Sequence, residues 1–279
     1  MGVPLLLAAA YGAVLIWFYL NENALLFRPD QGKVSAAPES LQLESRDVTL
    51  PAVGAASPAL RARLIPPPQK PNVAATAPWI LYFHGASGNV GTLGYNQAWA
   101  RFRQLGLGVF AVDYRGYGES GGKPSEAGLY QDADTAYAYL TEHLHVPAAR
   151  VLIYGYSLGS AVAIDLAARV PAAGLLVEGA FTSIPARGAE LYPYLPVRWL
   201  ARNRFASDEK IARVSMPKLF VHARDDVYVP IAHGKALFEL ARPPKSFQAV
   251  AGGHIDAYKV DPEFFNAIAR FVSKSTPSF

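Results

Sequence analysis

The sequence predicts an α/β fold in which a mostly parallel β-sheet carries helices on both faces. Short apolar runs at 79–83, 109–112, 151–154, 175–177 and 218–221, several of them β-branched, read as strands covered on both sides. Segments of helical length and spacing at 95–105, 129–144 and 158–169 alternate with them. Strand–helix–strand connections of this kind bring successive strands together in parallel, so reactive side chains belong in loops beyond the strands' carboxyl ends.

Composition supports one large core. Of 279 residues 51% are hydrophobic and 17% charged, which excludes a largely disordered chain. The net charge of +4 is scattered: Arg101/Arg103, Arg198/Arg202/Arg204 and Lys210/Arg213 stand among acids and read as solvated faces. No nucleic-acid partner is expected, whereas a mild basic excess suits anionic lipid head groups. There is no cysteine, which excludes disulfides, Cys-ligated zinc and thiol catalysis.

The chain opens with an uncharged apolar stretch, residues 3–20, about 27 Å of helix against a hydrocarbon core of ~30 Å. Trp17, Phe18 and Tyr19 gather at its end, where amphipathic rings favour the lipid–water boundary. Residues 1–27 are therefore expected to anchor the chain in a membrane. A signal peptide would want a basic n-region, and the first Lys or Arg is Arg28; a core helix apolar on all sides is the third reading. Arg28 and Lys33 follow the span, which places the remainder, 28–279, on the cytoplasmic side. Residues 29–78 are rich in Pro, Ala and Ser, with strand-like pieces at 47–50 and 60–65, a turn over 51–58 and an exposed connection over 66–78.

The first chemical signal is Gly155-Tyr156-Ser157-Leu158-Gly159, lying between the strand 151–154 and a small-residue helix. A serine at the tip of a sharp strand-to-helix turn needs small neighbours two residues away, and its Oγ projects into the cleft. The Leu158 amide then sits at a helix N-terminus, aimed at a developing oxyanion. A serine needs a base, and the base an orienting group. Of six histidines, His254 lies in the glycine-rich turn Gly252-Gly253-His254 after a strand at 247–250 and before a helix at 262–272. His143, His145 and His233 lie on or at the ends of helices and are expected to be solvated, and His222 reads as structural. The acid should follow the strand 218–221. There Asp226, shortly before Pro230 and a helix at Ile231, is preferred over Asp225, with Glu178 a third candidate. A second oxyanion donor is expected at Ala86, after the tight turn at Gly85, with His84 bracing that loop.

Phe83-His84-Gly85-Ala86-Ser87-Gly88-Asn89, Asp113-Tyr114-Arg115-Gly116-Tyr117-Gly118-Glu119-Ser120, the turn at Ser157, Phe181-Thr182-Ser183 and Gly252-Gly253-His254 together resemble the membrane-anchored serine hydrolases of the α/β-hydrolase superfamily, a subfamily that includes protein depalmitoylases. The resemblance runs from about residue 26 to 271. It implies an eight-stranded sheet, a triad of Ser157, Asp226 and His254, oxyanion amides at Ala86 and Leu158, and a structural turn at Asp113 and Arg115. Two departures bear on substrate preference: His222-Ala223-Arg224 precedes the acid, and Ile255-Asp256 follows the histidine.

The expected chemistry is two-step acyl transfer on a carboxylic ester or thioester, with no cofactor and no metal. The long insertion at about 180–214 reads as a small cap, whose Leu191, Tyr192, Tyr194, Leu195, Trp199 and Leu200 either pack on the body or form an acyl pocket facing lipid. The substrate partner is then a small or acylated ester, and the lipid membrane is met through residues 3–20. A peptidase or amidase on the same fold and a catalytically silent scaffold are the alternatives.

Overall fold

The computed structural model describes residues 2–51, 58–69 and 76–276. Strands β1 (Arg46–Leu50), β2 (Leu60–Ile65), β3 (Trp79–Phe83), β4 (Gly108–Asp113), β5 (Val151–Tyr156), β6 (Gly174–Glu178), β7 (Lys218–Ala223) and β8 (Lys245–Val250) form an eight-stranded sheet. Their order is β8–β7–β6–β5–β3–β4–β2–β1. β2 is antiparallel to β1 and to β4, and the other neighbours are parallel. Each strand read from the sequence lies within an observed one. The turn over 51–58 falls largely outside the described residues, and the connection over 66–78, expected to be exposed, is described at 66–69 and 76–78, where Pro67, Ala77 and Pro78 are buried against the body.

The helices are α1 (Gly2–Leu26), α2 (Leu93–Gln104), α3 (Glu126–Ala138), α4 (Leu158–Ala167), α5 (Ile184–Leu191), α6 (Val197–Leu200), α7 (Ser207–Lys210), α8 (Ile231–Leu240), α9 (Ala257–Val260) and α10 (Glu263–Ser275). The single helix expected over 129–144 begins earlier, because Ser125 Oγ accepts from the Gly128 amide and caps it; its last part, Tyr139–His143, is a wider π turn. One sheet face is covered by α2 and α10 through Trp99, Phe102, Phe264 and Ile268, the other by α3, α4 and α8 through Leu129, Val162 and Leu237. In α10 the buried Phe264, Phe265, Ile268, Phe271 and Val272 recur at helical spacing, which makes its inner stripe.

This layering positions the site. β3 and β5 are neighbours, yet the chain leaves β3 for α2 on one face and leaves β5 for α4 on the other. A crevice opens where the two connections diverge. The divergence demands close approach, since a Cβ on Gly159 would lie 2.1 Å from the Phe83 carbonyl oxygen and one on Gly155 2.3 Å from that of Gly159. Backbone at both contacts has nowhere to retreat. Gly159→Ala is therefore expected to cost about 4 kcal/mol, a drop on the order of 10 °C in Tm for a chain of this size. A thermal melt within 2–3 °C (about 1 kcal/mol) of wild type would refute this packing.

Candidate active site

Ser157 occupies the bend between β5 and α4 with φ 52° and ψ −118°, a left-handed conformation that side chains avoid. The surroundings hold it there. Its amide donates to the Glu178 carbonyl at 2.9 Å, and its own carbonyl accepts from the Ser160 amide at 2.9 Å and from Ser160 Oγ at 2.6 Å. His254 stands in the loop after β8. Its Nε2 is 2.9 Å from Ser157 Oγ and its Nδ1 is 2.6 Å from Asp226 Oδ2. The ring rests over Gly179 and between Tyr156 and Tyr228, while the Tyr156 hydroxyl donates to the His254 carbonyl. Asp256, beyond the departure at Ile255, accepts from the Gly253 amide at 2.6 Å and so closes the turn that presents the histidine.

Asp226 is buried and filled with donors. Oδ1 accepts from the amides of Tyr228 (3.0 Å) and Val229 (2.7 Å), and Oδ2 faces His254 and, at 3.5 Å, His222 Nε2. Burial opposes its charge, but hydrogen bonds from His222, His254 and Val229 outweigh burial and hold the carboxyl well below the usual carboxylate range. An ionised Oδ2 can only accept, so His254 Nδ1 carries the proton and Nε2 is left with a lone pair toward the Ser157 hydroxyl. His222 also donates to the Val229 carbonyl at 2.8 Å, which agrees with its structural reading.

The other two acid candidates stand apart from the ring. Asp225 is exposed. Glu178 accepts from the Tyr154 hydroxyl at 2.5 Å, and burial pushes its carboxyl up to about 7. The folded chain thus keeps a proton that the unfolded chain releases near its ordinary value, 4.5. Stability should fall as pH rises from about 4.5 to 7, by on the order of 3 kcal/mol, and Glu178→Gln should flatten that slope. Melting temperatures of both proteins between pH 5 and 8 check this; parallel slopes would rule it out.

The Ala86 amide is aimed through its own peptide plane. His84 Nδ1 lies 2.8 Å from the Gly85 carbonyl and donates to it; in a trans peptide the Ala86 N–H points the opposite way. The ring in turn has Nε2 at 3.4 Å from Asp113 Oδ1, which also accepts from the Val90 amide at 2.8 Å. On the far side, the Ala86 carbonyl accepts from the Arg28 amide (2.8 Å) and the Tyr117 hydroxyl (2.9 Å). Leu158 supplies the first amide of α4, beside the serine. Arg115 is tied to Asp132 by its amide and guanidinium, a brace for the turn after β4.

One sequence expectation is corrected. His233 is not solvated but 5% exposed, with Nδ1 against the Thr182 hydroxyl at 2.9 Å and Nε2 against Glu190 at 3.1 Å. The cap segment folds back over α8 and covers it. Sequence reasoning also missed the Tyr154–Glu178 pair and the Asp256 turn. The signal for the latter was an acid two residues beyond a Gly-Gly-His turn. Among the described residues no group of three or more His, Asp or Glu side chains is disposed to hold a metal ion.

Residues 75–211 match the family described as serine aminopeptidase, S33. The chain is 40% identical over 173 residues to an uncharacterized protein of Mycobacterium tuberculosis, covering 61% of this chain and 62% of that one. It is 37% identical over 187 residues to the lysophosphatidylserine lipase ABHD12 of Danio rerio, covering 61% and 48%. The matched region thus spans about half to two thirds of these relatives. Among solved structures, the esterase Pf2001 of Pyrococcus furiosus superposes with a TM-score of 0.71 at 18% identity, over 89% of this chain and 99% of that one, a likeness of fold.

Proposed function

We propose that this chain, which has the α/β-hydrolase fold, is a membrane-associated serine hydrolase cleaving carboxylic esters or thioesters of acyl or lipid-like substrates. The observation that carries this reading is the continuous hydrogen-bonded line from Ser157 Oγ through His254 to Asp226. His254 Nε2 takes the hydroxyl proton as Oγ attacks the carbonyl carbon, and the amides of Ala86 and Leu158 receive the oxyanion. The imidazolium, stabilised by Asp226, returns the proton to the departing alkoxide or thiolate. Water then attacks the acyl-enzyme as His254 takes its proton, and the collapse that frees the acid returns that proton to Ser157 Oγ. Anchoring is assigned to α1, which is long and apolar enough to cross a membrane and has no fully buried residue; Arg28 and Lys33, which follow it, favour a cytoplasmic body.

The name of the zebrafish relative supports lipid esters; the family description favours a second reading, an aminopeptidase. A fluorophosphonate probe should label the wild-type chain at Ser157, and a panel of acyl esters, acyl thioesters and aminoacyl amides should show turnover of the first two. Folded protein that resists the probe would reject the hydrolase reading. Amide turnover above ester turnover would select the peptidase.

A further inference from the structure

Helix α1 lies along the cap segment rather than standing clear of it. The Tyr11 hydroxyl donates to the Tyr194 carbonyl at 2.8 Å, and the rings of Phe18 and Tyr192 meet at 5.0 Å. The Arg202 guanidinium stacks 4.7 Å over Tyr19. One turn on, the Glu22 carboxylate accepts from the amides of Arg202 (3.0 Å) and Asn203 (2.8 Å) and from Arg202 Nε (3.0 Å). Asn203 also holds Asn23 and accepts from the Glu126 amide, so α1, the cap and α3 are tied together.

These contacts run from residue 11 to the end of the helix, about 24 Å at ~1.5 Å per residue. Residues 2–10, about 13 Å of helix, lie before the first of these contacts and are exposed. A crossing by the uncharged run 3–20 would carry Tyr194, bonded to Tyr11, to the middle of the bilayer, while Arg202, held against Tyr19 and Glu22, would stay at its edge. The cap's rim has the character of a membrane boundary. Tyr194 and Trp199 are each 89% exposed, Leu191 is 54% exposed, and Arg198 among them is exposed with no ion pair among the described residues. Amphipathic rings beside an unpaired cation suit the head-group level of a leaflet containing anionic lipid.

Between α1 and the cap runs an apolar groove of about 190 Å³, walled by Phe18, Leu25 and Leu26 on one side and Leu191, Leu195 and Leu200 on the other. Arg28 also lines it, and the Arg28 amide is bonded to the carbonyl of Ala86, the residue whose amide is the proposed oxyanion donor. We infer that α1 and the cap rim enter a single leaflet together, and that the groove between them receives one acyl chain of a membrane lipid ester and leads its carbonyl toward Ser157. The acyl-chain part rests on the hydrolase reading above; the leaflet part stands on geometry alone.

Because the chain has no cysteine, single sites can be labelled without background. Tyr194→Cys and Trp199→Cys, carrying an environment-sensitive nitrobenzoxadiazole probe on the full chain, should blue-shift in phosphatidylcholine–phosphatidylglycerol vesicles. Lipids brominated on their acyl chains should quench both probes, and aqueous iodide should not. Iodide quenching of both, with none by brominated lipid, would overturn leaflet insertion. In the same vesicles a monoacylglycerol bearing a diazirine near the chain terminus should cross-link to peptides containing residues 18–26 and 184–201, and Ala201→Trp, which fills the groove, should lower that yield at least fivefold. Cross-links confined to residues 2–10, or a yield unchanged in Ala201→Trp while its melting temperature is preserved, would overturn the groove. A cross-link to an S-acylated peptide but not to the monoacylglycerol would replace the lipid ester by a lipidated protein. The binding readouts need no turnover, so failure of wild-type hydrolysis would sink the catalytic reading and leave them standing.

Discussion

Ser157→Ala is expected to lower kcat for an acyl ester by about 10⁴-fold or more with little change in KM, because the loss falls on a bond made only as the reaction proceeds. Among the described residues the hydroxyl is the hydrogen-bond partner of His254 Nε2, at 2.9 Å, and alanine leaves the amides of Ala86 and Leu158 where they are. Residual turnover would then come from the oxyanion donors and binding alone. Loss of the hydroxyl also removes no support from the strained bend, since the bonds that hold it are made by Ser157's own amide and carbonyl, to Glu178 and Ser160. The melting temperature should stay near that of wild type. Single-turnover hydrolysis and fluorophosphonate labelling measure the effect; a loss of less than tenfold would remove Ser157 from the chemistry.

Asp226→Asn should be nearly as damaging, for a reason written in the hydrogen bonds. Oδ1 receives the amides of Tyr228 and Val229 and must remain an acceptor, so the side-chain amide of asparagine is forced to present its NH₂ to His254 Nδ1. That donor imposes the opposite tautomer. Nε2 then carries a hydrogen and has no lone pair to take the proton of Ser157, a defect worth on the order of 10⁴ in kcat. Asp225→Asn, by contrast, should change kcat less than threefold (well under about 1 kcal/mol), because Asp225 is exposed and bonded to none of the three groups. Equal losses at 225 and 226, read from kcat at fixed pH, would reject the arrangement.

How much of this was legible depends on the range of the interactions involved. Strands β3 to β7 announce themselves as mainly apolar runs because burial on both faces leaves little room for polar residues, whereas the edge strand β8 mixes Lys245, Ser246 and Gln248 with its apolar residues. The bend at Ser157 is equally local: Gly155 and Gly159 are required by contacts within a strand–turn–helix unit and the strand beside it. His254 is legible by its Gly-Gly turn. Asp226 and Asp225 are adjacent in sequence and alike in chemistry, so composition cannot separate them; what separates them is that the turn after β7 buries one against two amides and His222 and leaves the other in water.

Sequence by itself determined the residue types of the chemistry, their places at strand ends, and an apolar helix at the start of the chain, because these follow from local backbone geometry and hydrophobic patterning. Tertiary structure alone decided that Glu178 is paired with Tyr154, that His233 lies beneath the cap, and that α1 docks along the cap through Tyr11, Phe18 and Glu22. Each of the latter is a contact between groups set on different elements. Whether such groups meet is decided by how layers pack against one another, and side-chain identity along the chain carries no record of that distance.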